Sequence, residues 1–272
     1  EPAATEGLNI DAVARDLSAH RGSSLVVAGY GQPAIVHALA HAMNAALGNV
    51  GRTVAYTDPV ETSPVDQLAS MREVVSAMNE GQVDALLILG GNPVFTTPAD
   101  LQFGDMLAKV PLLVHLSQHD DETSERCHWQ VPEAHFLESW SDVRGYDGTV
   151  SIVQPLIAPL YGGRTIHEVV NALSATPEKA PYDLVRAHWL KQVAPGAAEP
   201  TPAFESAWRR WLHDGVVPDT AFKPKTPALK ASAINEQSAS ARGAEPRGFD
   251  LAFKLDPSIL DGRFANNGWL QE

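Results

Sequence analysis

An α/β fold, with a doubly wound, mainly parallel sheet and helices on both faces, is what the first 160 or so residues predict. Three observations carry the prediction. Short, nearly continuous apolar runs recur along the chain, most are followed by a turn rich in Gly, Asn or Pro, and the turns lead into stretches with helical spacing of apolar residues. Strands covered on both faces read as unbroken apolar runs, and strand, loop and helix repeated in this order imply βαβ units.

The elements follow in order. Residues 9–20 (NIDAVARDLSAH) put Ile10, Val13 and Leu17 at helical spacing behind Asn9, a suitable N-cap. SLVVAG at 24–29 reads as a strand; the turn Gly29-Tyr30-Gly31-Gln32-Pro33 follows, and 34–47 is an Ala-rich helix stopping at Gly48. TVAY (53–56), DALLILG (84–90) and PLLVHL (111–116) are three more strands, separated by helical stretches at about 64–79 and 98–109, which makes a four-strand parallel core. HWQVP (128–132) supplies a shorter fifth strand, with SERC as a one-turn link before it. Beyond residue 160, RTIHEVVNAL (164–173), YDLVRAHWLKQV (182–193) and FESAWRRWL (204–212) are amphipathic helices joined by Pro-rich links and expected to pack on the sheet domain. Residues 214–248 have linker composition and are expected to be partly disordered. Residues 249–272 regain apolar and aromatic content and read as the truncated start of a following domain. The expected organisation is an α/β domain over 1–175, a helical extension over 176–213, a linker over 214–248 and the truncated segment 249–272.

Composition narrows the function classes. The 272 residues suffice to bury a core without staples. With 33 acidic against 20 basic residues, a formal charge of −13 and no Lys/Arg run, nothing offers a footprint for a phosphate backbone, so no nucleic-acid partner is expected. No stretch reaches the roughly 18 apolar residues of a membrane span, and Glu1 opens the chain without the regions of a signal peptide, so the start reads as an artificial boundary or an internal position. Cys127 is the sole cysteine, which excludes an internal disulfide, an all-Cys zinc site and a four-Cys iron–sulfur cluster within the chain. No G-x-S-x-G elbow is present. Trp129, Trp140, Tyr146, Trp189, Trp208 and Trp211 show no base-stacking pattern and are expected in the core or between helices.

Three strand-end loops hold the local signals. Gly29-Tyr30-Gly31 and Gly90-Gly91-Asn92-Pro93 each offer a tight turn and exposed backbone N–H groups suited to a phosphate or nucleotide, and Asn92 adds an amide for a ribose or base edge. The same residues are also ordinary turn formers, and the first loop has Ala34 where a full G-x-G-x-x-G ends. Ser117-Gln118-His119-Asp120-Asp121-Glu122-Thr123 either orients a polar ligand or caps and charges the next helix. His37 and His41 lie four apart on a helix, a metal spacing, but no Glu follows His37 and packing is the more frequent role. Cys127-His128, Glu133, His135 and Glu138 contain ligand types without a spacing that brings them together, and Cys127 reads as a thiol packed beside a strand. No catalytic and no metal-ligating residue is assigned.

Taken together, SLVVAGYGQPAIVHALAHAMNAALGNVGRTV (24–54), DALLILGGNPVFTTPADL (84–101), HDDETSERCHWQVPEAHFLESWSDVRGYDGTVSIVQPLIAPLYGG (119–163) and FDLAFKLDPSILDGRFANNGWLQE (249–272) resemble the third, Rossmann-like domain of the molybdopterin oxidoreductase superfamily. The resemblance is closest to the molybdopterin-oxidoreductase-like subunit of bacterial alternative complex III and its Tat-translocated relatives. In cofactor-bearing members this domain holds one guanosine dinucleotide arm of the molybdenum bis-pterin cofactor, which implies Gly29, Tyr30, Gly31, Asn92, Ser117, Gln118 and Thr123 as cofactor-binding positions. The chain departs from those members at Ala34, where Gln is frequent, and at Asp147-Gly148-Thr149, where they carry Glu-Gly-Arg. The resemblance therefore implies a scaffold domain of a respiratory electron-transfer complex, not catalytic on its own. Iron–sulfur clusters would lie elsewhere in the parent protein and no cofactor in this chain. The alternative is the dinucleotide-arm domain of an active molybdenum enzyme. Other domains and subunits of a membrane-associated complex are the implied partners, on the periplasmic side of the inner membrane after export by the Tat route.

Overall fold

The computed structural model describes residues 9–197, 199–230, 232, 234 and 254–272. The chain forms two compact units, Glu1–Asp58 with Phe222–Lys254 and Pro59–Ala221 with Leu255–Glu272.

The first unit contains α1 (Ile10–Ala19) and α2 (Ala34–Ala46). The Asn9 side chain caps α1 by accepting from the Ala12 N–H at 3.0 Å, as its residue type predicts. The apolar run at 24–29 does not form a strand, contrary to expectation. Its backbone is held by side chains instead: the Val26 N–H donates to Asn44 Oδ1 at 3.0 Å, and Asn44 Nδ2 returns a bond to the Val26 carbonyl at 2.7 Å. Asn49, fully buried, donates to Asn44 Oδ1 at 3.0 Å and accepts from the Gly22 N–H at 3.2 Å. Backbone polar groups need partners, and at Val26 the Asn44 amide supplies both where a neighbouring strand otherwise would. TVAY at 53–56 likewise makes only isolated bridges, Val50 with Val54 and Tyr56 with Lys225.

The second unit carries the parallel sheet, which has three strands rather than four: β1 (Ala85–Leu89), β2 (Leu112–Ser117) and β3 (Trp129–Pro132), in spatial order β1-β2-β3. Leu87 pairs with Val114 and Leu116 with Val131. The expected fifth strand is thus the third strand of the actual sheet. One sheet face, bearing Leu86, Ile88 and Leu113, packs with Met78 of α3 (Gln67–Asn79) and with Phe103 and Leu107. The helix expected over 98–109 is broken. A 3₁₀ turn, Ala99–Leu101, ends at Gln102, whose φ of 50° is left-handed, and a new short helix follows. With α4 at Pro93–Thr96, that helix is α5 (Phe103–Leu107). The SERC link is the 3₁₀ turn Ser124–Arg126, as expected.

Beyond the sheet, β4 (Ser141–Arg144) and β5 (Val150–Val153) form an antiparallel hairpin. Then come α6 (Ile166–Asn171), α7 (Pro181–Val193) and α8 (Pro202–Asp214), the last two falling in the helical extension expected over 176–213. Proline opens α7 and α8 at a position where no backbone donor is needed. Thr165 with Glu168 makes a capping box for α6, and Gly215, at φ 76°, ends α8. A second core gathers Val150 and Ile152 of β5 with Trp189, Phe204, Trp208 and Trp211. Its polar edges are satisfied, since Trp189 Nε1 donates to Asp142 at 2.8 Å and Trp208 Nε1 to the Tyr182 hydroxyl at 3.0 Å. Trp129 and Tyr146, expected inside, are 66% and 94% exposed. Of the expected linker, 214–230 are described, with Val217 bridged to Val150; residues 235–248 lie outside the described residues. Among the described residues no helix is long and apolar enough to cross a membrane.

Candidate functional site at the strand ends

Ligands of open parallel sheets sit at the carboxyl ends of the strands, and here β1 and β2 end side by side. Gly90 and Gly91 both have φ of 72°, a conformation that L residues adopt only at a cost, so the double glycine is required by the turn. The Gly90 N–H still donates to the Leu116 carbonyl at 2.8 Å, which holds the turn on β2. Asn92 then opens α4, with Pro93 as its first residue.

The Asn92 amide is bonded through both its nitrogen and its oxygen. Its Nδ2 donates to Glu122 Oε2 at 2.6 Å, and its Oδ1 accepts from the Thr123 hydroxyl at 2.7 Å. Thr123, fully buried, accepts in turn from the Val94 N–H at 3.0 Å. The β1 and β2 loops are therefore sewn together through one buried hydroxyl. Ser117 donates to Asp121 Oδ2 at 3.3 Å and accepts from the His119 N–H at 3.2 Å. Asp121 Oδ1 accepts from the N–H groups of Thr123 (3.1 Å) and Ser124 (2.9 Å), which is the capping role expected of this acidic loop. Glu122, by contrast, is bound to Asn92.

His115, fully buried within β2, was not singled out by the sequence analysis. Its Nε2 lies 3.0 Å from the Gly91 carbonyl and its Nδ1 2.9 Å from Ser124 Oγ. A carbonyl only accepts, so Nε2 carries the hydrogen toward Gly91, while the Ser124 hydroxyl also donates to the His119 carbonyl at 3.2 Å. The ring fixes the Gly91 peptide from beneath. The signal available in the sequence was a polar residue inside the apolar run PLLVHL, which in a buried strand has to find partners.

Burial pushes the Glu133 carboxyl above its ordinary range, with the neighbouring His115 opposing the shift. Burial also raises the Cys127 thiol, and the Asp121 carboxylate adds to that, so the protonated form of the half-buried Cys127 is favoured. Among the described residues no group of three or more His, Cys, Asp or Glu comes together to hold a metal ion. His41 Nδ1 is 2.9 Å from the Tyr56 hydroxyl.

Asn92, Ser117 and Gln118 meet at one cleft of about 820 Å³, which Asp120, Glu122, Glu125 and Glu133 line as well; the buried Thr123 does not line it but is bonded to Asn92, which does. Gly29, Tyr30 and Gly31 belong to the first unit, in the turn before α2. Neither glycine there has a left-handed φ; a Cβ on Gly31 would meet nothing within 4 Å, and one on Gly29 only Gln32 Cγ at 3.8 Å. Tyr30 is 92% exposed.

The side chains of the cleft do not fit the phosphates of a guanosine dinucleotide arm. Asp120, Asp121, Glu122, Glu125 and Glu133 surround it with carboxylates, while the guanidinium on its lining, Arg263, is paired with Asp261 through Nε at 2.9 Å and Nη2 at 2.6 Å. Like charges close together in a partly desolvated cleft repel a polyanion. The amide that would meet a ribose or base is the one already bonded to Glu122 and Thr123.

No protein-family profile matches the chain. It is similar to the menaquinone reductase, molybdopterin-binding-like subunit of Nitratidesulfovibrio vulgaris (strain Hildenborough), at 29% identity over 148 aligned residues, covering 48% of this chain and 21% of that subunit. The chain thus spans about a fifth of the length of the relative it matches. The similarity relates the chain, at a coarse level only, to molybdopterin-oxidoreductase-related proteins.

Proposed function

We propose that the chain is the Rossmann-like scaffold domain of a molybdopterin-oxidoreductase-like subunit in a bacterial respiratory electron-transfer complex, with the redox centres outside it. One observation carries the reading. The strand-end cleft, where a dinucleotide arm would lie, is lined by carboxylates, and its Asn92 amide is bonded within the protein. The similarity to a subunit of a menaquinone reductase supports membership of a larger assembly. In the same reading the domain body runs over 1–175 and the helical extension over 176–213. Iron–sulfur clusters are carried elsewhere in the parent, and the assembly works on the periplasmic side of the inner membrane after Tat export.

Metal and pterin analysis of the full-length protein, purified from its native host, tests the proposal. Background levels of molybdenum and tungsten, with no extractable pterin, are expected; stoichiometric metal with pterin overturns it. The second reading, a dinucleotide-arm domain of an active molybdenum enzyme, is favoured by the convergence of Asn92, Ser117, Gln118 and Thr123 at the strand ends. Saturable binding of GDP that is lost in Asn92→Ala is its signature.

A further inference from the structure

The segment 256–272 lines the strand-end cleft through Gly262, Arg263, Ala265 and Asn266 and ends in a short helix, α9 (Gly268–Gln271). Asn267-Gly268, where α9 begins, is the one Asn-Gly pair in the sequence. The carbonyl carbon of an asparagine side chain lies within reach of the next residue's backbone nitrogen, and a side chain on that next residue hinders the approach. Glycine has none.

The local geometry leaves the reacting atoms free. Asn267 is exposed, and its side-chain amide neither caps α9 nor bonds to any other described group. The Gly268 nitrogen is the first of the helix, a position whose N–H has no intrahelical acceptor. A Cβ on Gly268 would meet nothing within 4 Å, so the space around that nitrogen is open. The main chain is tied on either side by one bond each, the Asn267 N–H to the Phe264 carbonyl at 3.0 Å and the Leu270 N–H to the Asn267 carbonyl at 3.1 Å. Neither bond uses the Asn267 amide or the Gly268 nitrogen.

The other asparagines among the described residues each lack one of these conditions. Asn44 and Asn49 are buried, with amides that donate to the Val26 carbonyl and the Ser24 hydroxyl. Asn92 precedes Pro93, whose nitrogen carries no hydrogen to lose. The Asn171 amide is held by the Thr176 carbonyl at 2.6 Å. Asn9 and Asn79 accept through their oxygens and are followed by the bulkier Ile10 and Glu80. After Asn266 comes the Asn267 nitrogen, whose hydrogen is the one given to Phe264.

We propose that Asn267 is a site of spontaneous deamidation, with the Gly268 nitrogen as nucleophile. That nitrogen loses its proton to solvent base and bonds to Asn267 Cγ. The Cγ–Nδ2 bond breaks, and ammonia leaves with a proton taken from water, which gives a five-membered imide. A second water opens the imide on the Cγ side, to aspartate, or on the main-chain side, to isoaspartate with the backbone running through the β-carbon. No electrons are exchanged, and solvent is the sole co-reactant. Either product sets a carboxylate next to Asn266, on the rim of a cleft already lined by acids. Isoaspartate also inserts one carbon into the main chain between the Phe264 and Leu270 bonds, so the turn that starts α9 no longer closes as it does now. The site is independent of the scaffold reading, because only this chain and water take part.

Ageing the full chain in mildly alkaline buffer, followed by peptide mass mapping and enzymatic methylation of isoaspartyl groups, tests the proposal. Conversion of amide to acid is expected to accumulate at position 267 ahead of every other asparagine, with isoaspartate among the products. Gly268→Ala is compatible with the fold, since position 268 has open space and no left-handed φ, and it is expected to slow conversion at 267 by about tenfold or more. An intact Asn267 in the folded chain, after the same chain in urea has converted, overturns the proposal, because the fold would then protect the pair. Conversion at the parent rate in Gly268→Ala also overturns it, since the openness of position 268 would then not govern the reaction. Neither result touches the metal and pterin analysis, so the deamidation site and the scaffold reading fail separately.

Discussion

Replacing the glycines of the two Gly-bearing loops with alanine separates the loop that needs glycine from the loop that does not. Gly90 and Gly91 both sit at φ of 72°, where an L residue costs about 1–2 kcal/mol. Space contributes nothing further. A Cβ at Gly91 meets no atom within 4 Å, and one at Gly90 meets only Glu133 Oε2 at 3.8 Å, an ordinary contact. The cost is therefore conformational, and for a unit of this size each kcal/mol lowers Tm by roughly 2–4 °C. Gly90→Ala and Gly91→Ala are each expected to lower Tm by about 2–8 °C. Gly31→Ala, with no left-handed φ and no neighbour, is expected to be neutral or to stabilise by about 0.4–1 kcal/mol through the unfolded chain. Thermal and urea unfolding of the three variants beside the parent provide the measurement. A Gly91→Ala protein with the parent's Tm, or a Gly31→Ala protein that falls as far as Gly91→Ala, refutes the reasoning.

Three further outcomes follow from the geometry. Trp208→Ala removes a 1%-exposed ring that touches Tyr182, Phe204 and Trp211, and is expected to cost about 3–5 kcal/mol in urea unfolding. Thr123→Ala strands the Val94 N–H and Asn92 Oδ1 at once, so a loss of about 1–3 kcal/mol is expected, with faster exchange at Val94. Glu133→Gln has a pH signature. Because the folded carboxyl lies above its unfolded value, the native contribution is fully present below the unfolded pKa and is lost as pH rises through the folded one. The Gln variant should therefore match the parent at acid pH and gain on it toward neutrality, read as a growing difference in urea midpoint; a constant difference across pH would count against the assignment.

The helices were largely legible because their signals are local. Asn9, Asp66, Thr165 and Thr201 cap where a cap is needed, and Pro or Gly marks several of the ends. The strands were legible only where pairing followed. SLVVAG and DALLILG are both short apolar runs ending in Gly, yet the second lies on parallel β2 and the first is held by Asn44, and nothing in an apolar run says which neighbour it finds. Gln102 breaks the helix at 98–109 through a backbone conformation its residue type rarely takes. In the candidate site, Asn92, Ser117, Gln118 and Thr123 were foreseeable as residues at strand ends. What was not foreseeable is that Asn92 and Thr123 bond to each other and Ser117 to Asp121, with His115 holding the Gly91 carbonyl from inside β2 and the segment around Gly262 lining the same cleft from far downstream. Those relations depend on contacts distant in sequence.

The aromatic core has a practical consequence for spectroscopy. Trp140, Trp189, Trp208 and Trp211 all belong to or border the one cluster formed by the hairpin with α7 and α8, whereas Trp129 and Trp269 stand in solvent at 66% and 91% exposure. Intrinsic emission will therefore be dominated on unfolding by the red shift of a single locale, and the strand-end loops and the first unit are optically silent in it. A fluorescence melt and a far-ultraviolet circular dichroism melt of this protein accordingly observe different parts of the molecule, and coincidence of the two curves would be a physical result about cooperativity between the hairpin core and the rest of the chain.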